Sequence, residues 1–136
     1  MKDTSLISVV DEFDAAWNAH DVAAIMRFIG DDSVVTFTPP PPGESGVYRG
    51  RDEIRRFVET HLPGFHVDSR SHQVVGDSVS WLATAAADSF RQLGLDQVVF
   101  DCTAAIRGGT ITSFAVKMTP ETLAKLQAAQ ASAAHA

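Results

Sequence analysis

Between about residues 65 and 118 the chain runs through four stretches of alternating character, at about 65–75, 78–90, 96–107 and 110–118, with "GDS" and "RGGT" at two of the joins. A period of two puts successive side chains on opposite faces of a strand, and glycine at the joins supplies the backbone angles of tight turns. Strands joined this closely pair as an antiparallel meander. Such a sheet has an apolar face to bury, so the rest of the chain is constrained to cover it.

The covering elements read as helices. Residues 5–18 place Leu6, Val9, Val10, Phe13, Ala16 and Trp17 on one helical face, with Thr4 or Ser5 available as N-cap and Asp11, Glu12 and Asp14 turned outward. "NAHD" breaks that pattern, and Asp21 can cap a second, shorter helix with Val22, Ile25, Met26 and Ile29 as its apolar positions and Gly30 as its end. "SVVTF" reads as a short strand, and "PPPPGESG" as a proline-rigid loop, a candidate rim for a cavity. A third helix follows "YRG", with Asp52 and Glu53 in its first turn, Ile54, Phe57, Val58 and His61 along one stripe, and "LPG" as its stop. "TPETLAKLQAAQ" predicts a closing helix with Thr119 as N-cap and Pro120 at the first helical position. The whole is one α+β domain over residues 1–136, with about 1–4 and 131–136 expected to fray.

A chain of 136 residues, 45% hydrophobic and 21% charged, has room for one proper core and does not have the composition of a disordered protein. No apolar run approaches the ~18 residues of a spanning helix, and carboxylates interrupt "MKDTSLISVVDEF" where a signal peptide needs apolar residues. A cytoplasmic location with no membrane partner is therefore expected. The formal net charge of −6, without a basic stripe, argues against nucleic acid as a partner. A single cysteine, Cys102, precludes an intramolecular disulfide, and no Cys/His cluster has zinc spacing, so no metal is expected.

"FDAAWNAHDVAAIMRFIGDDSVV" followed by "YRGRDEIRRFV" resembles the nuclear transport factor 2-like superfamily and, within it, the SnoaL-like group of cyclases, isomerases, epoxide hydrolases and dehydratases. The resemblance covers nearly the whole chain. It implies a cone-shaped, curved antiparallel sheet wrapped around N-terminal helices, the cystatin-like arrangement, with an apolar internal cavity. It also implies which face of "SVSWLATAAADSF" points inward: the set Leu82, Thr84, Ala86, Asp88 and Phe90, with Val79, Trp81, Ala83, Ala85 and Ala87 outward. Small side chains at Ala86 and Ala104 then leave volume where a packed core would hold a larger residue. Phe13, Trp17, Phe37, Tyr48, Phe57, Cys102, Phe114, Val116 and Met118 complete the expected wall.

Each polar candidate has two readings. Asp88 is either a cavity acid whose pKa is raised by desolvation or an ordinary exposed or turn-capping aspartate near a strand end. Tyr48 either closes the loop over the cavity or holds a substrate oxygen. His61 continues the helical stripe but also sits near a helix C-terminus, where an imidazole favours the dipole without any chemistry. Cys102 reads as a small buried hydrophobe, because nothing near it in sequence would lower its pKa.

The catalytic sets implied by the resemblance transfer unevenly. The tyrosine of the ketosteroid isomerases falls on Phe13, their base near Phe37, and their donor acid on or beside Cys102, next to Asp101. Of the arginine and two aspartates of the limonene epoxide hydrolases, Asp88 falls on one aspartate, while the arginine position reads Ala86 and the second aspartate falls near Val116. The aldol cyclases of the group need little more than one acid/base in a shape-selective apolar cavity. The expected function is thus cofactor-free proton transfer, as cyclisation, isomerisation or elimination, on a small hydrophobic cyclic or polyketide-like metabolite. Asp88 would be the acid/base and Tyr48 would orient the substrate. The alternative is a non-catalytic hydrophobic-ligand-binding or dimerisation module. A homodimer is expected through the outward set of the second long strand, which includes Val79 and Trp81 and is too apolar for water.

Overall fold

The computed structural model describes residues 2–41 and 43–134, with side chains for 6–41 and 43–132. Helix α1 (Lys2–Asn18) begins earlier than its pattern requires, and the side chains of Thr4 and Ser5, expected as N-caps, lie outside the described residues. Helix α2 (Val22–Met26) is capped as expected, Asp21 Oδ1 accepting from the Ala24 amide at 3.1 Å. It stops short of Ile29 because the Phe28 carbonyl accepts from the Ile111 amide at 2.8 Å, which draws the chain into strand β1 (Ile29–Thr38). The proline loop returns as a short strand, β2 (Val47–Arg49), paired antiparallel with β1. Gly46 makes that return possible: its φ is +81°, and a Cβ there would lie 2.7 Å from the Phe37 carbonyl. Helix α3 (Gly50–His61) follows directly, and Glu53 Oε1 accepts from the Arg49 amide at its start.

The meander is β3 (His66–Val75), β4 (Ser78–Ala86), β5 (Val98–Arg107) and β6 (Thr110–Met118), each pair antiparallel. A short helix, α4 (Asp88–Arg91), interrupts the expected strand over 78–90, and α5 (Pro120–Ala134) closes the chain. Both end helices extend into the segments expected to fray, while Met1, His135 and Ala136 lie outside the described residues. The sheet order is β2-β1-β6-β5-β4-β3, with β1 parallel to β6. Register shifts in β1, β3 and β5 introduce bulges, which bend the sheet around the helices packed on it.

The seam between α1 and β3 sets where the site lies. Asn18 donates from Nδ2 to the Val67 carbonyl at 2.9 Å and accepts from the Val67 amide at 2.8 Å. Four residues back along a helix and two along a strand both cover roughly 6 Å, so this clamp brings Asp14 opposite Ser69. Val10, Phe13, Ala16 and Trp17 are buried beneath the helix, Trp17 against Phe65 with ring centroids 4.6 Å apart. At the other end, Thr119 Oγ1 accepts from the Thr122 amide, and Thr122 Oγ1 accepts from the Val99 amide, fixing α5 to β5. Among the described residues no helix is long and apolar enough to cross a membrane.

Candidate functional site

The concave side of the sheet lines a chamber of about 60 Å³. Phe13, Trp17, Phe37, Phe57, Cys102, Phe114 and Val116 line it as expected. The β4 face is the opposite of the one expected: Val79, Trp81, Ala83, Ala85 and Ala87 are buried, and Leu82, Thr84 and Ala86 point away from the chamber. Period two moves the whole set together, and the side that buries Trp81 against Phe114, stacked at 5.7 Å, removes far more apolar surface from water. The alanines that leave volume are therefore Ala83 and Ala85. Ala86 borders a separate outer recess with Leu95 and Lys125, and Thr84 accepts a hydrogen bond from Arg70 on the outside. Burial of Val79 and Trp81 also removes the apolar face on which pairing of two copies was expected.

Asp88 is a second correction. The strand ends at Ala86, so Asp88 leaves the alternation and starts α4, exposed, with Oδ1 3.0 Å from Arg91 Nη1. Gly64 packs against its carboxyl so closely that a Cβ there would lie 2.2 Å from Oδ1. Phe90, past the turn, does reach the chamber. Ala104 is buried on the inward face of β5 without lining the chamber, and Met118 lines an outer space instead. Tyr48 packs its ring on Phe57 at 4.4 Å and turns its hydroxyl away from the chamber to Glu44 Oε1, 2.6 Å away. Burial, then Glu44, raises its pKa, so the phenol stays protonated as a donor.

The carboxyl on the chamber wall is Asp14, which the helical pattern had turned outward. It lies four residues after Val10 and three before Trp17, at the edge of the same stripe, and this spacing was the signal for it. Ser69 Oγ donates to Asp14 Oδ2. Burial raises the Asp14 pKa from 3.8 to about 6; the Ser69 hydrogen bond opposes this, while Asp11 and Asp68 add to it. Cys102 shares the wall, and burial pushes its thiol up, so it is no nucleophile at neutral pH.

The second titratable group is His61, at the neck of the chamber. Its Nδ1 is 3.1 Å from Ser89 Oγ, and its Nε2 is buried without a hydrogen-bond partner among the described residues, with Glu44 Oε2 3.7 Å away. Burial lowers the His61 pKa and Glu44 partly restores it. Phe37, His61 and Phe90 line both the chamber and an outer vestibule of about 630 Å³ under the proline loop and α5. Among the described residues no group of three or more His, Cys, Asp or Glu side chains is placed to hold a metal ion.

Residues 10–114 match the SnoaL-like domain. The chain belongs to the SnoaL-like family. Solved structures share this fold at low identity. An LEH-like epoxide hydrolase of M. tuberculosis is 20% identical, with a TM-score of 0.70 over 93% of this chain and 91% of that one. TerC, co-crystallised with polyporic acid, is 22% identical, with a TM-score of 0.70 over 89% and 96%. A polyketide cyclase assigned in Sinorhizobium meliloti is 17% identical, with a TM-score of 0.66 over 85% and 99%. No curated protein matches by sequence. The relatives of this SnoaL-like domain thus include cyclases and hydrolases, and its own chemistry has to be argued from its site.

Proposed function

We propose that this SnoaL-like protein catalyses cofactor-free proton transfer, as cyclisation, isomerisation or elimination, on a hydrophobic cyclic or polyketide-like metabolite. Asp14 takes the acid/base role that the sequence had suggested for Asp88. The observation that carries the reading is a carboxyl on an apolar wall, its pKa raised by burial to about 6. A group titrating there is ionised enough at neutral pH to accept a proton from carbon and basic enough to hold it. At the neck, His61 Nε2, buried and without a hydrogen-bond partner among the described residues, is available to a substrate oxygen. Ser89 Oγ at Nδ1 fixes the ring, and Tyr48 holds Glu44 near Nε2 without a hydrogen bond between Glu44 and the imidazole.

The test is incorporation of deuterium from heavy water into the carbon next to the carbonyl of cyclic ketones, followed by mass spectrometry. The parent protein is expected to accelerate exchange, and Asp14→Asn to lose about 10²–10⁴ of that acceleration. A parent that binds the ketones without exchanging them would be a ligand-binding module.

A further inference from the structure

The 60 Å³ chamber has room for about two water molecules, whereas the 630 Å³ vestibule has the size of a small-molecule site. A substrate body therefore sits in the vestibule and presents only a leading edge to the chamber. What the vestibule recognises follows from its lining. Gln92, Gln127 and Gln130 supply amides, each with two donors and an acceptor, and Thr60 and Ser89 supply hydroxyls. Leu123 and Leu126, on the same side of α5, supply an apolar floor. Among the described lining residues there is no lysine or arginine; the formal charge is Glu44, in a chain of net charge −6. A phosphate or carboxylate placed here would lose water without gaining a cation.

We infer that the vestibule is a subsite for an uncharged, hydroxyl-rich portion of the substrate, held by the three glutamines, and that phosphorylated substrates are excluded. Hydroxyls both donate and accept, as do the amides facing them, and their carbon skeleton lies on the leucines. The inference rests on the substrate reading above, in that the same molecule reaches Asp14 through the neck.

Three probes with one ring separate the possibilities: phenol, phenyl β-D-glucoside and phenyl phosphate, titrated against the fluorescence of Trp17 and Trp81. Trp17 and Trp81 both line the chamber. The glucoside is expected to bind about tenfold more tightly than phenol and at least about tenfold more tightly than the phosphate. Gln127→Leu combined with Gln130→Leu, on the vestibule face of α5, should remove most of the glucoside's advantage and leave phenol unchanged; Gln127→Lys combined with Gln130→Lys should favour the phosphate. A phosphate that binds as well as the glucoside, a glucoside no tighter than phenol, or no saturable binding by any of the three overturns the inference. The same affinity order alongside an Asp14→Asn protein with undiminished deuterium exchange would support the subsite and remove the reading of Asp14.

Discussion

Ser69 Oγ donates a hydrogen bond to the Asp14 carboxylate across the seam between α1 and β3, and among the described residues this is the hydrogen bond that favours the ionised acid against its burial. The folded-state pKa lies above the unfolded value, so the stability it contributes is full below about pH 4 and is lost as pH rises through about 6. Asn carries no such penalty. Asp14→Asn is expected to match the parent near pH 4 and to exceed it at pH 8 by up to about 3 kcal/mol, measured by urea unfolding. A parent that gains on the amide as pH rises would show a carboxylate stabilised, not penalised, by the fold.

Ser69→Ala removes the opposing hydrogen bond. The Asp14 carboxyl should then titrate above about 6, read from its carboxyl carbon by NMR. A value unchanged from the parent would mean that the hydroxyl does not hold this acid.

Phe37 and Phe90 stack with centroids 6.5 Å apart and form part of the wall between chamber and vestibule. Phe90→Ala should join the two spaces, costing about 3 kcal/mol of stability while strengthening binding of planar apolar probes. Unaltered probe affinity would place the barrier elsewhere.

Ala85 and Ala86 are neighbours on opposite faces of β4. Ala85→Leu should fill the chamber, weaken phenol binding by excluding the ligand's leading edge and cost about 1–3 kcal/mol, whereas Ala86→Leu should leave binding as it is. Thermal melts together with phenol titration distinguish them, and the reverse pattern would restore the parity expected from sequence.

Asp88 forms an exposed pair with Arg91, so Asp88→Asn is expected to change stability by less than about 0.5 kcal/mol and deuterium exchange not at all. A large loss of exchange would return the catalytic role to this residue.

The α+β order, the meander and the Asp21 and Thr119 caps were legible in the sequence, because each rests on local periods and turn residues that act over a few positions. The resemblance placed Phe13, Trp17, Phe37, Phe57 and Phe114 on the chamber wall while missing Phe65, Trp81 and Phe100. Three things were not legible. Which face of β4 points inward is a question of parity, and both faces of "SVSWLATAAADSF" are apolar enough to satisfy a period of two. The burial of Trp81 against Phe114, on a strand distant in sequence, settles it. The fate of Asp88 depends on where β4 ends, which is fixed by the turn into α4 and the Pro63 carbonyl that accepts the Asp88 amide. Asp14 lies at the edge of a helical stripe, where a carboxylate reads equally as solvent-facing. Only the clamp between Asn18 and Val67 turns that edge toward Ser69 and the chamber. Local sequence sets which elements form; contacts between elements far apart in the chain decide which side of each one meets the cavity.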